Sequence, residues 1–324
     1  MICIYNKNTD PYFNLAAEEY LLKAFKEEFF MLWRNRPSVL IGKNQNALAE
    51  INLDYIKGHN IPVVRRLSGG GAVFHDLGNI NFTFIVNNEA KETYDFERFV
   101  RPIISALGKL GINAEFSGRN DITIDGRKVS GNAQCYYSGR ILHHGTLLVS
   151  SDISDLSAAI NAKPMKFEGK GIKSVAARIT NIDEYLQRPM SVEDIIDMIM
   201  AEVKEQADDL YEFTGDDMEN IERLKNEKYS TWEWNFGISP DYSFKNEKKF
   251  AGGTIEINID AKDGVIEDIK IFGDFFCKKD IKDIETLLKG VRHSYSDMMA
   301  ALASVDVSEY FCNISLQNLL DVLL

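Results

Sequence analysis

Cysteine is scarce in this chain of 324 residues: Cys3, Cys135, Cys277 and Cys312 lie far apart, and no two form a C-x-x-C pair. That spacing excludes a zinc ribbon and a thioredoxin-type redox motif, and free thiols in a reducing cytoplasm are the expected state. Long apolar runs are missing too. No stretch approaches the ~20 residues that cross a bilayer, so no membrane helix and no membrane partner are expected. The opening Met1-Ile2-Cys3-Ile4-Tyr5-Asn6-Lys7 lacks a basic region, an apolar core and a small-residue cleavage site, so no signal peptide is expected. Positive charge is in deficit. With 37 Lys and Arg against 49 Asp and Glu, the formal net charge is −12, which repels nucleic acid over long range. In so acidic a protein, a local cationic cluster points to a specific anionic ligand.

Common catalytic signatures are absent as well. No Gly-Lys pair is followed by Ser or Thr, so there is no P-loop. There is no H-E-x-x-H, no G-x-S-x-G and no dinucleotide-binding glycine fingerprint. Any nucleotide must be held by another route.

What is present reads as α+β. The length suggests roughly two domains. Composition shifts near residue 245, from the aromatic Trp232-Glu233-Trp234-Asn235-Phe236 to the charged Lys245-Asn246-Glu247-Lys248-Lys249. The expected division is therefore 1–245 and 246–324. Asn14 to Phe29 reads as a helix, and Ser38–Ile41, Val63–Arg66 and Asn79–Val86 read as strands. In the last of these, Ile80, Phe82, Phe84 and Val86 alternate with Asn81 and Thr83, the period of a half-buried antiparallel strand. Asp125-Gly126 between two strand-like runs predicts a tight hairpin. Thr254–Asp260 and Val265–Phe272 predict a second hairpin, followed by helices around 280–289, 294–304 and 315–323. Antiparallel sheets with helices give the α+β class.

Four segments carry chemistry. In Arg65-Arg66-Leu67-Ser68-Gly69-Gly70-Gly71-Ala72-Val73-Phe74-His75-Asp76, glycines let backbone approach a ligand, and arginines suit carboxylate or phosphate. Gly-Gly-Gly alone would be a flexible turn; with the arginines it reads as an anion-binding loop. In Arg127-Lys128-Val129-Ser130-Gly131-Asn132, strand alternation puts Lys128, Ser130 and Asn132 on one face. A lysine there is ordinarily just solvated. The adjacent His143 and His144 point to opposite strand faces, which disfavours shared metal ligation. Lys170-Gly171-Ile172-Lys173-Ser174-Val175-Ala176-Ala177-Arg178 is cationic, with Gly169 and Gly171 able to hinge a covering loop.

Together these segments resemble the lipoate–protein ligase A family of the biotin/lipoate ligase superfamily. Matching stretches include Arg65–Asn79, Ser117-Gly118-Arg119-Asn120-Asp121, Arg127–Ala133, His144–Leu148, Lys170–Val175, Ile41–Asn46 and Trp232–Gly237, all in the family's order. The resemblance implies a catalytic domain related to biotin ligases and class II aminoacyl-tRNA synthetases, with a small α+β accessory domain. It implies ATP and Mg2+ as cofactors and lipoate as substrate, through lipoyl-AMP. It also implies transfer to a lysine of lipoyl domains of 2-oxoacid dehydrogenase E2 subunits or of glycine-cleavage H protein. By the same resemblance Lys128 is catalytic. Arg66, Gly71, Ala72, Val73, Phe74, Lys128, Lys170 and Lys173 contact ATP or the adenylate, and Lys128, Gly70, Gly71 and His144 contact lipoate. Asp121 is the candidate for placing Mg2+. The main alternative is an octanoyl or lipoyl transferase of the same fold acting through a cysteine thioester, with Cys135 the nearby thiol. Cys135→Ser separates the two.

Overall fold

The computed structural model describes residues 1–324 except 89–94, 119, 161–177, 206–208, 237–243 and 263. Fourteen strands are described: β1 Ile2–Asn6, β2 Phe29–Trp33, β3 Ser38–Ile41, β4 Val63–Arg65, β5 Val73–His75, β6 Asn79–Asn87, β7 Ala114–Ser117, β8 Asp121–Ile124, β9 Arg127–Tyr137, β10 Arg140–Leu148, β11 Asp209–Leu210, β12 Phe244–Phe250, β13 Gly253–Lys262 and β14 Val265–Gly273. They form an eight-stranded mixed sheet in the order β11-β1-β2-β6-β10-β9-β8-β7 and two three-stranded sheets, β4-β3-β5 and β12-β13-β14. The fold is α+β, as the pattern of hairpins and helices predicts. Among the described residues no helix is long and apolar enough to cross a membrane.

Register sorts the large sheet into two faces, because antiparallel partners share a side. One face carries the rows Met31–Thr83–His144–Ala133 and Trp33–Asn81–Thr146. The other carries Phe30–Phe84–His143–Gln134 and Leu32–Phe82. Helices Phe96–Lys109 and Val192–Lys204 seal the second face with Phe99, Ile103, Leu107, Ile195, Ile199 and others. Over the first face lie the helix Pro11–Ala24 and the small sheet β4-β3-β5.

That first helix starts where Asp10 caps it, accepting from Tyr12 N at 3.1 Å, and ends at Ala24 rather than running to Phe29. The expected helix overran because Phe29–Trp33 is a wholly buried central strand. A continuous apolar run has no period to mark the change from helix to strand. The Asp-Gly hairpin forms as expected, with Asp125 at φ 50° and Gly126 at φ 73°, the two positive angles of a type I′ turn.

A separate core fills the C-terminal region. Ile255, Ile257 and Ile259 are fully buried beneath helices Lys282–Leu288, Tyr295–Leu302 and Leu316–Leu323. The charged run taken as the domain break belongs to β12, the lysine-bearing edge of this second sheet; lysines discourage edge-to-edge pairing. The separate core supports the division into 1–245 and 246–324 that we propose.

Candidate active site

The polar face of the large sheet and the small sheet above it enclose a pocket of about 630 Å³ including its open mouth. Its wall includes Trp33, Arg66, Gly71, Lys128, His144 and Thr146. A second pocket of about 580 Å³ adjoins it, lined by Phe74, Asn79, Ser130, Leu148 and Ile179 among others. Ala72, Val73, Lys128, Gly131 and Thr146 border both. Among the described residues Lys128 is the only charged side chain common to the two linings.

Lys128 arrives there through an irregularity. Pairing of β8 with β9 steps from Ile122↔Ser130 to Thr123↔Lys128, which leaves Val129 as an extra residue. Simple alternation groups Lys128 with Ser130 and Asn132; the bulge moves it to the side of Asp121 and Gly131 instead. The ammonium lies 2.7 Å from Asp121 Oδ1, and a Cβ on Gly131 would stand 2.9 Å from Lys128 Nζ. Glycine at 131 therefore clears room for the lysine. Backbone bonds from Lys128 N to Arg178 O and from Thr180 N to Lys128 O hold its strand from the other edge.

The two arginines have different tasks. Arg65 turns away from the pocket. Its guanidinium donates to the carbonyls of Gly42, Lys43, Gln45, Trp234 and Asn235 at 2.7–3.0 Å, tying β3's exit loop to the helix Trp232–Asn235. Its expected part in anion binding gives way to a structural one. Arg66 lines the pocket but donates to the carbonyls of Gly69 at 2.8 Å and Gly71 at 2.7 Å, and to Ser68 Oγ at 3.1 Å. Burial lowers each arginine's pKa to about 10, which leaves both charged near neutrality.

The three glycines likewise answer to different neighbours. Gly70 adopts φ 92°, and its carbonyl would stand 2.0 Å from a Cβ on Gly42. A Cβ on Gly69 would come within 2.2 Å of Phe275 O, so this residue is packed against the C-terminal region. Gly71 alone of the three faces open space, and together with Gly70 and Ala72–Val73 it lines the first pocket.

The histidines separate as expected of strand neighbours. His143 enters the apolar face, stacked on Phe99 at 4.7 Å, bonded to Gln134 and Asn132 and kept neutral by burial. His144 lies on the pocket face. Its Nδ1 donates to Glu18 at 3.0 Å, and Ser68 Oγ lies 2.6 Å from its Nε2. Arg66 Nε donates into that serine oxygen, so the hydroxyl proton goes to His144. The series Ser68–His144–Glu18 has the order of a hydrolytic triad. Ser68 is fully buried, however, and the arrangement acts to fix the glycine loop to the sheet.

Trp33, His75, Asn81, Asn120 and Thr146 also line the pocket and were not predicted as ligand contacts. The signal for Asn81 was in view: the polar half of β6, read as solvent-facing, is buried instead. Lys170 and Lys173 lie outside the described residues. Asp121 meets Lys128, while among the described residues no three His, Cys, Asp or Glu side chains cluster as a metal site. Cys135 shares a row with Leu142 and Ile85 and packs against the core beneath the first helix; it is not among the pocket's lining. Burial pushes its thiol up to about 12.

Comparison with known proteins agrees along the whole chain. Residues 10–204 match the family described as lipoyl protein ligase A/B catalytic domain, and residues 239–323 match the bacterial lipoate protein ligase C-terminus. Lipoate–protein ligase 1 of Staphylococcus aureus is 45% identical over 318 residues, 97% of each chain. A lipoate-protein ligase of Bacillus subtilis is 43% identical over 330 residues, covering both chains in full. Among solved structures, P. falciparum LipL1 in complex with lipoate superposes with TM-score 0.81 at 28% identity, covering 99% of this chain and 97% of that one. The bipartite lipoate protein ligase of Thermoplasma acidophilum, studied with its E2 lipoyl domain, gives 0.64 at 28% identity, covering 75% and 98%. A lipoate-protein ligase A bound with ATP gives 0.60 at 25% identity, covering 74% and 99%. With family matches over most of its length and relatives this similar from end to end, the chain belongs to the lipoate–protein ligase family.

Proposed function

We propose that this protein activates lipoate with ATP and transfers the lipoyl group to a lysine of a carrier protein. One observation carries the reading: the ammonium of Lys128 stands where two adjoining pockets meet, the one charged group among the described residues that borders both. A carboxylate must approach an anionic α-phosphate, and two unit charges 4 Å apart repel by about 4 kcal/mol at an effective dielectric near 20. A fixed cation between the pockets offsets that repulsion and stabilises the charge that grows on the phosphoryl oxygens. Structures of relatives with lipoate and with ATP support the two ligands.

In the first half-reaction a lipoate oxygen bonds to the α-phosphorus and the bond to pyrophosphate breaks, leaving lipoyl-AMP. In the second, the carrier's lysine nitrogen attacks the acyl carbon, AMP departs and the amine loses a proton. Arg66 keeps the Gly69 and Gly71 carbonyls turned to itself, so the loop keeps its shape beside the mixed anhydride. Asp121 holds Lys128 until the anions arrive. A lone carboxylate suits Mg2+ brought in on phosphates, and Asp121 would hold it. When bound, the ion supplies charge neutralisation of the leaving pyrophosphate. Lys170 and Lys173 are assigned to the adenylate. The archaeal relative studied with an E2 lipoyl domain supports such a domain as acceptor, with glycine-cleavage H protein as the other.

A thioester route through Cys135 fits poorly, because a nucleophilic cysteine needs a thiolate at the substrate, whereas this half-buried thiol is raised and borders neither pocket. The test is lipoate-dependent ATP–pyrophosphate exchange with Mg2+. Lys128→Ala should lose at least about a hundredfold in exchange, and Cys135→Ser should keep both exchange and transfer. Full exchange by Lys128→Ala would overturn the reading.

A further inference from the structure

A chain of side-chain hydrogen bonds leads from the apolar side of the large sheet to the ion pair at the pocket. It starts at His143, fully buried among aromatic rings and stacked on Phe99 with 19° between the planes. A leucine or phenylalanine would fill such a position at less cost, since a polar ring in apolar surroundings has to find partners. His143 finds two. Gln134 Nε2 lies 2.9 Å from its Nδ1, and Asn132 Oδ1 lies 3.2 Å from its Nε2.

Backbone carbonyls fix the sense of each link. Gln134 Nε2 also donates to Asp95 O at 3.0 Å, so it is the nitrogen that faces the ring, and His143 Nδ1 accepts from it. Asn132 Nδ2 donates to Asn120 O at 3.0 Å, which leaves the Asn132 oxygen turned to the ring. Burial keeps the imidazole neutral, so its one proton sits on Nε2 and goes to Asn132. Asn120 Nδ2 in turn donates to Asn132 O at 2.5 Å, and Asn132 N donates to Asn120 O at 2.9 Å. Reversing any of the three amides would set an oxygen against a carbonyl. Gly145 provides the space: a Cβ there would stand 2.2 Å from Asn132 Oδ1.

The chain ends beside the ion pair. Asn120 precedes Asp121, the first residue of β8, and Asn132 follows Gly131, the residue with which Asp121 is paired. Successive side chains of a strand point to opposite faces. The bonds between Asn120 and Asn132 therefore lock β8 to β9 from one side, while on the other Asp121 Oδ1 holds Lys128 at 2.7 Å. Any drift of the β8 entry carries the carboxylate with it, and a catalytic group displaced by about 1 Å can lose about a hundredfold in rate.

We propose that His143 is a positioning residue for Lys128: through Asn132 and Asn120 it fixes the entry of β8, and with it the Asp121 carboxylate that aims the ammonium between the two pockets. The proposal rests on Lys128 serving the activation step.

The test compares His143→Phe, which keeps an aromatic ring but donates nothing, with His143→Gln, which keeps a donor. In lipoate-dependent ATP–pyrophosphate exchange, His143→Phe should lower kcat by about ten- to a hundredfold with little change in KM, and His143→Gln should recover part of the loss. A second readout needs no turnover. An amine let go by its carboxylate reacts faster, so peptide mass spectrometry after lysine labelling should show Lys128 modified several-fold faster in His143→Phe, with the exposed Lys262 unchanged. Should His143→Phe fail to fold, Asn120→Ala, at a half-buried site, takes its place in both measurements. Nitrogen NMR of the wild type should find the His143 proton on Nε2. A proton on Nδ1, or a lower Tm with kcat and Lys128 labelling unchanged, would overturn the proposal. If the wild type carries out no exchange, faster Lys128 labelling in the variant upholds the positioning chain while the activation reading falls.

Discussion

The two sides of β6 are equally hidden from water and chemically opposite. Ile80, Phe82, Phe84 and Val86 face the helices Phe96–Lys109 and Val192–Lys204, while Asn79 and Asn81 border the two pockets and Thr83 shares their face of the sheet, and none of the seven is more than 5% exposed. On the first side burial is its own justification, because apolar area leaves water. On the second, burial of amides and hydroxyls is a cost that needs partners. Part of that need is met inside the protein: Trp33 Nε1 donates to Thr83 Oγ1, and Thr83 Oγ1 donates to Glu18. Part is not met among the described residues, at Asn79 Oδ1 and Asn81 Nδ2. One side of a strand can thus be read as stability and the other as function.

Substitutions on the two sides should separate accordingly. Phe84→Ala, which empties a space shared with Phe30, Phe99 and His143, should lower unfolding free energy by about 3–5 kcal/mol in a urea titration. Lys128→Ala should instead leave the urea midpoint in place and cost activity by about 2.7–4 kcal/mol of transition-state stabilisation; a stability loss as large as that of Phe84→Ala would erase the distinction. Glu18→Gln sits between them. It weakens the bonds to His144 and Thr83 and should cost about 1–3 kcal/mol of stability, seen as a lower Tm together with reduced lipoate affinity.

The last effect, the smallest per pH unit, is a pH slope. His75, with its pKa pulled from 6.5 to about 3 by burial and by Arg66 and His144, refuses a proton that the unfolded chain accepts. Above pH 6.5 both states are neutral there and the group adds nothing. As pH falls through 6.5 toward 3, stability should drop by up to about 1.4 kcal/mol per unit for such a histidine. His143, also held neutral by burial, adds to the slope from the apolar side. Urea midpoints at pH 7 and 5 measure it, and His75→Gln should flatten it.

Much of this was legible in the residues. Ser38–Ile41 is a strand with the expected bounds, the Asp125-Gly126 hairpin forms, and the C-terminal helices lie where periodicity put them. The loop with Gly70–Val73, Lys128 and His144 are brought to one pocket. Other features lay beyond local pattern. An arginine pair reads as one cationic unit, and only the three-dimensional path shows Arg65 filled with backbone carbonyls from two distant loops. Nothing in Lys128-Val129-Ser130 announces a bulge, since its cause is pairing with β8. Alternation identified the two sides of β6 correctly but could not show that the polar side was covered, because its cover comes from elsewhere in the chain.

The contact between Gly69 and the Phe275 carbonyl also has a bearing on how the protein is made. Roughly two hundred residues separate them in the chain. At a synthesis rate of 5–20 residues per second, the glycine loop emerges roughly 10–40 s before the segment it packs against exists. The pocket is therefore finished last, by a part of the protein that contributes none of the described residues lining it.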